Sequence, residues 1–208
     1  MRRTFLIRLI FSISLAVMGI SFTDTRSATA TTWYTGNRQT TSTGVKATIS
    51  TPTGQPAMTA GVQASWVSLP CCNWVQTGWA FYKGWSTAQK YVEHNVNGVY
   101  GIEWYGTQSW GSTINYQVSR NSGSSNYWGA YINGFYEGSW GPFSSSSEVQ
   151  ALSEVQDSSS NQLSTTFTNV YYRNLSNQWL LFNQANWQVD APYKVNKYQY
   201  YYYLNWGP

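Results

Sequence analysis

The feature that most constrains the fold is an alternation of apolar and polar residues with a period of two, from about residue 61 to about residue 173. In the stretch STINYQVSR (112–120), Ile114, Tyr116 and Val118 share one face, and polar side chains occupy the other. Three further stretches alternate in the same way: 62–69, 126–132 and 167–173. Apolar residues do not recur at helical spacing over three turns in this region, so the pattern predicts an all-β fold.

Turn signals separate the alternating stretches. Asn97-Gly98 and Asn133-Gly134 each lie between two strand-like runs, and this dipeptide is a strong hairpin signal. Strands at roughly ten-residue spacing with hairpin turns indicate an antiparallel sandwich or barrel. The strands are too numerous for a small flat sheet, so we predict an antiparallel double-sheet sandwich over residues 61–174.

The two flanks of this region look different. Residues 31–60 are rich in turn residues and hold few large apolar groups, so we expect an extended lead-in to the sandwich. Residues 175–208 are rich in aromatic residues, and we expect this segment to pack on the sandwich or to complete it. Its tyrosine run fits a final strand with one buried face, and a binding surface is the alternative.

The first 30 residues have the pattern of a secretory signal peptide. Arg2, Arg3 and Arg8 give a positive start, an apolar stretch follows, and SATA (27–30) offers small residues for cleavage. A membrane anchor is the alternative, but the unbroken apolar run is short for a span. We therefore predict a secreted protein that keeps no membrane segment after cleavage.

The charge balance excludes one class of partner. Residues 31–208 hold eight lysine and arginine side chains against seven carboxylates, a net charge of +1. Nucleic-acid binding would need clustered cations, so we expect none.

Cys71 and Cys72 are adjacent, and a strained disulfide, a contact with another chain and two free thiols all stay open. With His94 as the sole histidine, we predict no metal site.

Two strand-like stretches carry polar residues that could do chemistry. In CCNWVQTGWAF (71–81), Gln76 shares a face with Trp74, while small residues at 78 and 80 leave space beside it. In EVQALSEVQD (148–157), Glu154 lies on a face that is largely acid and amide. If both strands belong to one sheet, Gln76 and Glu154 could face the same cleft.

The order of these motifs resembles the glutamic peptidases. VQTGW, then YVE (91–93) and SEVQD (153–157), is similar to the eqolisin group, which has a glutamine in a QTG strand and a glutamate on a later strand. The flanking pattern, including FTNVYYRN (167–174), is similar to the neprosin-like group. The resemblance covers residues 62–174. It implies a concanavalin-like or jelly-roll sandwich and a secreted endopeptidase that acts on polypeptides without a cofactor.

The resemblance also implies roles for individual residues. Glu154 would be the general base that activates a water molecule, and Gln76 would hold this water and donate an N–H group to the oxyanion. Trp66 would line the substrate cleft, and Glu93 of YVE would support substrate binding. Independently of the resemblance, the alternation of the strand places Trp74 and Tyr82 on either side of Gln76, as aromatic walls of the same cleft.

Three alternatives use other residues. A non-catalytic module that binds carbohydrate could use exposed tryptophans, for which the candidates are Trp85, Trp104, Trp110, Trp128 and Trp140, with Trp85 and Trp110 in loop-like surroundings. A glycosidase needs two carboxylates on either side of the bond that it cleaves. Glu148 and Glu154 lie about 20 Å apart along one strand, too far for such a pair. The remaining candidate pairs are Glu93 with Glu154 and Glu103 with Glu154. A Ser–His–Asp site would depend on His94 alone.

Overall fold

The computed structural model describes residues 31–70, 73–122 and 126–208. These residues form strands and no helix, in the chain order β1 (Thr32–Ser42), β2 (Gly44–Ser50), β3 (Val62–Leu69), β4 (Trp74–Tyr82), β5 (Ala88–Val96), β6 (Val99–Gln108), β7 (Thr113–Arg120), β8 (Trp128–Ile132), β9 (Phe135–Trp140), β10 (Ser147–Gln156), β11 (Leu163–Arg173), β12 (Trp179–Leu181), β13 (Asn186–Val189), β14 (Lys194–Gln199) and β15 (Tyr202–Gly207). The predicted signal peptide and the cysteine pair lie outside the described residues.

The strands form two antiparallel sheets packed face to face. The first sheet has the order β13-β1-β10-β3-β4-β5-β6, and the second has the order β14-β15-β11-β2-β7-β8-β9, with β12 added beside β11. Side chains from the inner faces of both sheets meet in one apolar core, which includes Val45, Trp79 and Phe167. The predicted all-β double-sheet sandwich is therefore confirmed.

The expectation for residues 31–60 is corrected by the structure. Residues 32–50 are not a lead-in: β1 lies inside the first sheet between β13 and β10, and β2 lies inside the second sheet between β11 and β7. The reason is that apolar and polar residues alternate along β2, and its apolar residues Val45, Ala47 and Ile49 are fully buried. Small side chains suffice there because β2 packs at the centre of the sandwich.

Residues 175–208 supply one edge of each sheet. β13 pairs with β1 in the first sheet, while β14 and β15 extend the second sheet beyond β11. Within the tyrosine run, Tyr203 is fully buried and its hydroxyl donates to the carbonyl of Ala151. Tyr198 and Tyr202 stay exposed and stack on each other.

Both predicted hairpins occur. Asn97-Gly98 joins β5 to β6, and Asn133-Gly134 joins β8 to β9. All four residues have positive φ values, 53° and 81° in the first turn and 52° and 83° in the second. This backbone is that of a type I′ turn, which Asn-Gly adopts readily.

Candidate active site

A cleft lies on the outer face of the first sheet, over β10, β3, β4 and β5. It forms there because these strands turn their apolar residues inward: Val75, Trp79 and Phe81 of β4 belong to the core, so the intervening residues face outward. The cleft has a volume of about 410 Å³, and Trp66, Trp74, Gln76, Glu93 and Glu154 are all among its lining residues. The structure thus brings all five predicted site residues to one place.

Small residues form the floor of the cleft. Ala64 on β3 pairs with Ala80 on β4, and Gly78 pairs with Trp66 one row further along. A Cβ atom on Gly78 would come within 2.0 Å of the carbonyl oxygen of Ser65, so no larger residue fits there. Strands β3 and β4 approach each other closely because of this glycine.

Glu154 lies at one end of the cleft and is held by neutral donors. Its Oε2 accepts a hydrogen bond of 3.4 Å from Nε1 of Trp66, and its Oε1 accepts one from the amide of Gln156. Burial raises the pKa of Glu154, while these two hydrogen bonds act in the opposite direction. No cation forms an ion pair with Glu154 in the described part of the chain.

Gln76 and Glu93 form a hydrogen-bonded pair at the other end. Gln76 pairs with Glu93 across β4 and β5, and its Nε2 donates to Oε2 of Glu93 at 2.6 Å. The same Nε2 donates to the hydroxyl of Tyr91 at 3.1 Å, so both amide hydrogens are engaged. The hydroxyl of Tyr100 donates to the second oxygen of Glu93.

The environment of Glu93 favours its protonated form. Burial, together with the charge of Glu154, raises the pKa of Glu93 to about 7, against the opposing effect of the hydrogen bonds from Tyr100 and Gln76. Two carboxyl groups that repel each other in a shared site tend to ionise at different pH values, which suits one for acid chemistry and the other for base chemistry.

The strand register sets the distance between Gln76 and Glu154. Glu154 pairs with Ala64, and Ala64 pairs with Ala80, which lies four residues beyond Gln76 on β4. Usual sheet spacings, about 4.8 Å between strands and about 3.3 Å per residue, place the two Cα atoms about 16 Å apart. The structure therefore does not bring Gln76 and Glu154 into contact, and the carboxylate that contacts Gln76 is Glu93.

The predicted tryptophans line the cleft in different ways. Trp66 is only 4% exposed, so it acts mainly through its N–H group and as part of the wall. Trp74 is partly exposed at the far end of β4, where its ring meets the edge of the Tyr100 ring with centroids 6.3 Å apart.

Four tyrosines belong to the site: Tyr82, which the face pattern of β4 places beside Gln76, and Tyr34, Tyr91 and Tyr100, which the sequence analysis did not identify. Each has its pKa raised by burial first and also by the charges of Glu93 and Glu154, so each hydroxyl stays protonated and can donate. A signal for Tyr100 was available, because the two-residue turn at Asn97-Gly98 sets the register and makes Tyr100 a diagonal neighbour of Glu93.

The residues of the alternative hypotheses lie elsewhere or pack internally. His94 points to the opposite face from Glu93 and stacks on Trp140 with centroids 5.1 Å apart, outside the cleft lining. Trp128 is fully buried, and Trp110 packs edge-on against Phe81.

Trp85 and Trp104 form an aromatic cluster with Tyr82 beside the cleft. Glu148 makes an ion pair with Arg38 at 3.5 Å. Within the described ranges no three His, Cys, Asp or Glu side chains come together as metal ligands. The described residues also contain no helix able to span a membrane.

Solved structures with a similar fold include two of scytalido-glutamic peptidase. The one with a transition state analog inhibitor has a TM-score of 0.62 at 15% identity, and the one with a peptide based transition state analog has 0.60 at 16%. SCP-B, a member of the eqolisin family of peptidases in complex with the tripeptide Ala-Ile-His, has a TM-score of 0.56 at 16% identity. Each likeness covers 85% of this chain and 98% of the other. No protein-family model and no curated protein sequence matches the chain. The chain thus has a glutamic-peptidase-like β-sandwich fold.

Proposed function

We propose that the protein is a secreted endopeptidase that hydrolyses polypeptides in the cleft of the first sheet. The observation that supports this most is that Gln76, Glu93 and Glu154 all line one aromatic-walled cleft. The fold adds support, because proteins of the same fold are peptidases that bind peptides and peptide-based inhibitors. Fold alone does not establish a reaction, so the proposal depends on the site.

Glu154 is the proposed general base. Its ionised carboxylate would accept a proton from the water molecule that attacks the peptide carbonyl, and it would then pass the proton to the leaving amine. Trp66 and Gln156 donate to Glu154 from neutral groups, which orients the carboxylate without fixing a counter-charge beside it. Burial raises the pKa of Glu154, and among the described residues no cation forms an ion pair with it, so its carboxylate is a better base than an exposed one.

Gln76 is the proposed donor to the oxyanion. Both of its amide hydrogens already bind, to Tyr91 and to Glu93, so one must be released when substrate enters. Protonation of Glu93 makes this release easier, since a neutral carboxyl group is a weaker acceptor than a carboxylate. The Tyr100 hydroxyl, which donates to the ionised Glu93, can then accept a hydrogen bond from the protonated carboxyl group, because a hydroxyl both donates and accepts.

These roles predict a bell-shaped pH profile. Activity requires Glu93 protonated and Glu154 ionised, and the pKa of Glu93 is raised to about 7. We therefore expect activity to rise as the pH falls below about 7 and to decline again when Glu154 takes up a proton.

The test is digestion of a fluorescently labelled, denatured protein from pH 2 to pH 8 by the purified protein and three variants. Glu154→Gln and Gln76→Ala are expected to lose at least about a hundredfold in kcat/KM. Glu148→Gln is the matched control, because Glu148 lies on the same strand but pairs with Arg38. No cleavage by folded wild-type protein at any pH would contradict the proposal.

A second candidate, carbohydrate binding in the same cleft, is favoured by one observation. Tyr82, Trp85 and Trp104 form a partly exposed aromatic cluster at the cleft edge, with Trp85 and Trp104 centroids 5.3 Å apart. Aromatic rings of this kind stack on sugars. Calorimetric titration with neutral oligosaccharides, of wild type and of Trp104→Ala, separates this candidate from peptide hydrolysis.

A further inference from the structure

The outer face of the second sheet carries a separate depression, which we call the trough. Its volume is about 490 Å³, and it is lined by residues of β7, β8, β9 and β11 and of the adjoining loops. The strand order places it on the opposite side of the sandwich from the cleft. The cleft of the proposed peptidase and the trough have no lining residue in common.

Small residues again form the floor. Gly44 on β2 pairs with Ser119 on β7, and Ser119 pairs with Gly129 on β8. A Cβ atom on Gly44 would meet the Cβ of Ser119 at 2.7 Å, and one on Gly129 would meet Oδ1 of Asn121 at 2.9 Å. The depression therefore exists because three adjacent strands have small residues in one row.

Two arginines lie together at one end of the trough. Nη1 of Arg173 donates to the backbone carbonyl of Arg120 at 2.7 Å, which brings the Arg173 guanidinium beside that residue. Nη1 of Arg120 donates to the carbonyl of Ser145. Each guanidinium has five N–H groups, and in the described ranges each makes only this one hydrogen bond.

Among the described residues, no carboxylate neutralises this pair. The trough lining includes no Asp or Glu, and the one ion pair among the described residues joins Arg38 and Glu148 in the first sheet. The pKa of Arg173 is lowered by burial and by the charge of Arg120. Arginine keeps its charge at all ordinary pH values, so a bound anion is what can relieve this repulsion.

The remaining lining is aromatic and amide-rich. Tyr131, Tyr136 and Trp179 form walls. Lys46 lies next to this lining, with its Nζ 4.7 Å from the centroid of Trp179. Gln117, Asn121 and Asn177 offer neutral donors and acceptors. Aromatic rings contact the apolar faces of sugars, and amides bind hydroxyl groups, whereas a simple inorganic anion needs neither.

We propose that the trough binds an anionic saccharide, with Arg120 and Arg173 contacting a carboxylate or sulfate group and the aromatic walls contacting the sugar ring. Such a site would hold the protein on an acidic polysaccharide while the cleft on the opposite face stays accessible.

The test is calorimetric titration of the whole protein with a trigalacturonate, a sulfated trisaccharide, neutral maltotriose, inorganic phosphate and a short polyglutamate. We expect at least one of the two acidic saccharides to bind and maltotriose not to bind. Arg120→Gln should weaken binding at least about tenfold, as loss of a charge-assisted hydrogen bond does. Lys46→Gln, measured beside it, keeps the test valid if Arg120→Gln fails to fold.

Lys194→Gln is the matched control. Lys194 also lies over a tryptophan, with its Nζ 4.8 Å from the centroid of Trp206, but Trp206 is not a lining residue of the trough, whereas the Trp179 beneath Lys46 is. It should bind the acidic saccharide within about twofold of wild type. Equal weakening in this variant, equal binding of maltotriose, phosphate or polyglutamate, or no binding of either acidic saccharide would each overturn the proposal.

Discussion

The cleft and the trough can be compared group by group, since each has a floor of small residues on adjacent strands and walls of aromatic side chains. In the cleft the ionisable groups are chiefly carboxyls, Glu93 and Glu154, held by hydroxyl, amide and indole donors. In the trough they are the cations Arg120 and Arg173, with Lys46 beside them.

The difference between the two lies in what burial can do to each charge. A buried carboxyl group can take up a proton, and the pKa of Glu93 is raised to about 7 for this reason. A guanidinium group cannot lose its charge in the same way. In the cleft, burial therefore changes the pH at which a carboxyl group titrates, which is useful in catalysis. In the trough, burial leaves the guanidinium groups charged, which favours the binding of an anion.

The largest expected effect tests whether the cleft and the trough act independently of each other in peptide hydrolysis. We expect Glu154→Gln to lower kcat/KM for peptide hydrolysis at least about a hundredfold, or about 2.7 kcal/mol of transition-state stabilisation. Arg120→Gln and Lys46→Gln should stay within about twofold of wild type in the same assay. Equal losses in all three variants would show that the faces are coupled.

A second prediction concerns stability against pH. Because the folded state raises the pKa of Glu93 from 4.5 to about 7, the unfolded chain loses this proton first. The free energy of unfolding should therefore fall as the pH rises from about 4.5 to about 7, and Glu93 should account for about 2–3 kcal/mol of this loss.

Urea unfolding at pH 4, 6 and 8 measures this contribution. Glu93→Gln should flatten the decline, whereas Arg120→Gln should leave its slope unchanged. A wild-type stability that rises across this window, with the same slope in Glu93→Gln, would contradict the assignment.

The two floors give a third prediction. A Cβ at Gly78 would lie 2.0 Å from a backbone carbonyl oxygen, whereas at Gly44 the nearest atom is the Cβ of Ser119 at 2.7 Å. Backbone in a paired strand moves less readily than a side chain, so Gly78→Ala should destabilise by about 2–3 kcal/mol and Gly44→Ala by about 1 kcal/mol. Chemical denaturation of both variants gives the order directly, and a reversed order would mean that the cleft floor is the more adaptable one.

The smallest expected effect concerns Lys46. Its Nζ lies 5.0 Å from the centroid of Tyr171 and 4.7 Å from that of Trp179, whereas Lys194 lies over Trp206 alone. Lys46→Met should cost about 0.5–1 kcal/mol of folding stability and Lys194→Met about half of that. Thermal unfolding in matched buffers compares them, and equal losses would argue against a special environment for Lys46 in the trough.

Much of the fold was predictable from local pattern. The period-two stretches and the Asn-Gly turns gave the strands Val62–Leu69 and Thr113–Arg120 and both hairpins, because side-chain alternation and turn chemistry are local properties. β1 was missed because its burial comes from a distant partner, β10, rather than from its own hydrophobicity. β2 does alternate apolar residues, but only over seven residues in a stretch otherwise rich in turn residues, and its partner β11 is distant in the sequence.

The site was predictable in part for the same reason. Gln76 and Glu154 stand out as polar residues beside small ones on strands that one sheet could share. The contact between Gln76 and Glu93 depends on the register of β4 against β5, and the row shift between Gln76 and Glu154 depends on three strands at once. No stretch of sequence contains that information by itself.

The position of β1 has a consequence for the order of folding. β1 lies between β10 and β13, and its residue Thr35 pairs with Ser153 and Val189. Long loops must close before these contacts form, and such topologies fold slowly. In a chain that emerges from its N-terminus, the earliest strand must wait unpaired for the latest ones. Until they arrive, its unpaired backbone groups are exposed, and an intermediate of this kind is prone to aggregate with other copies of the chain.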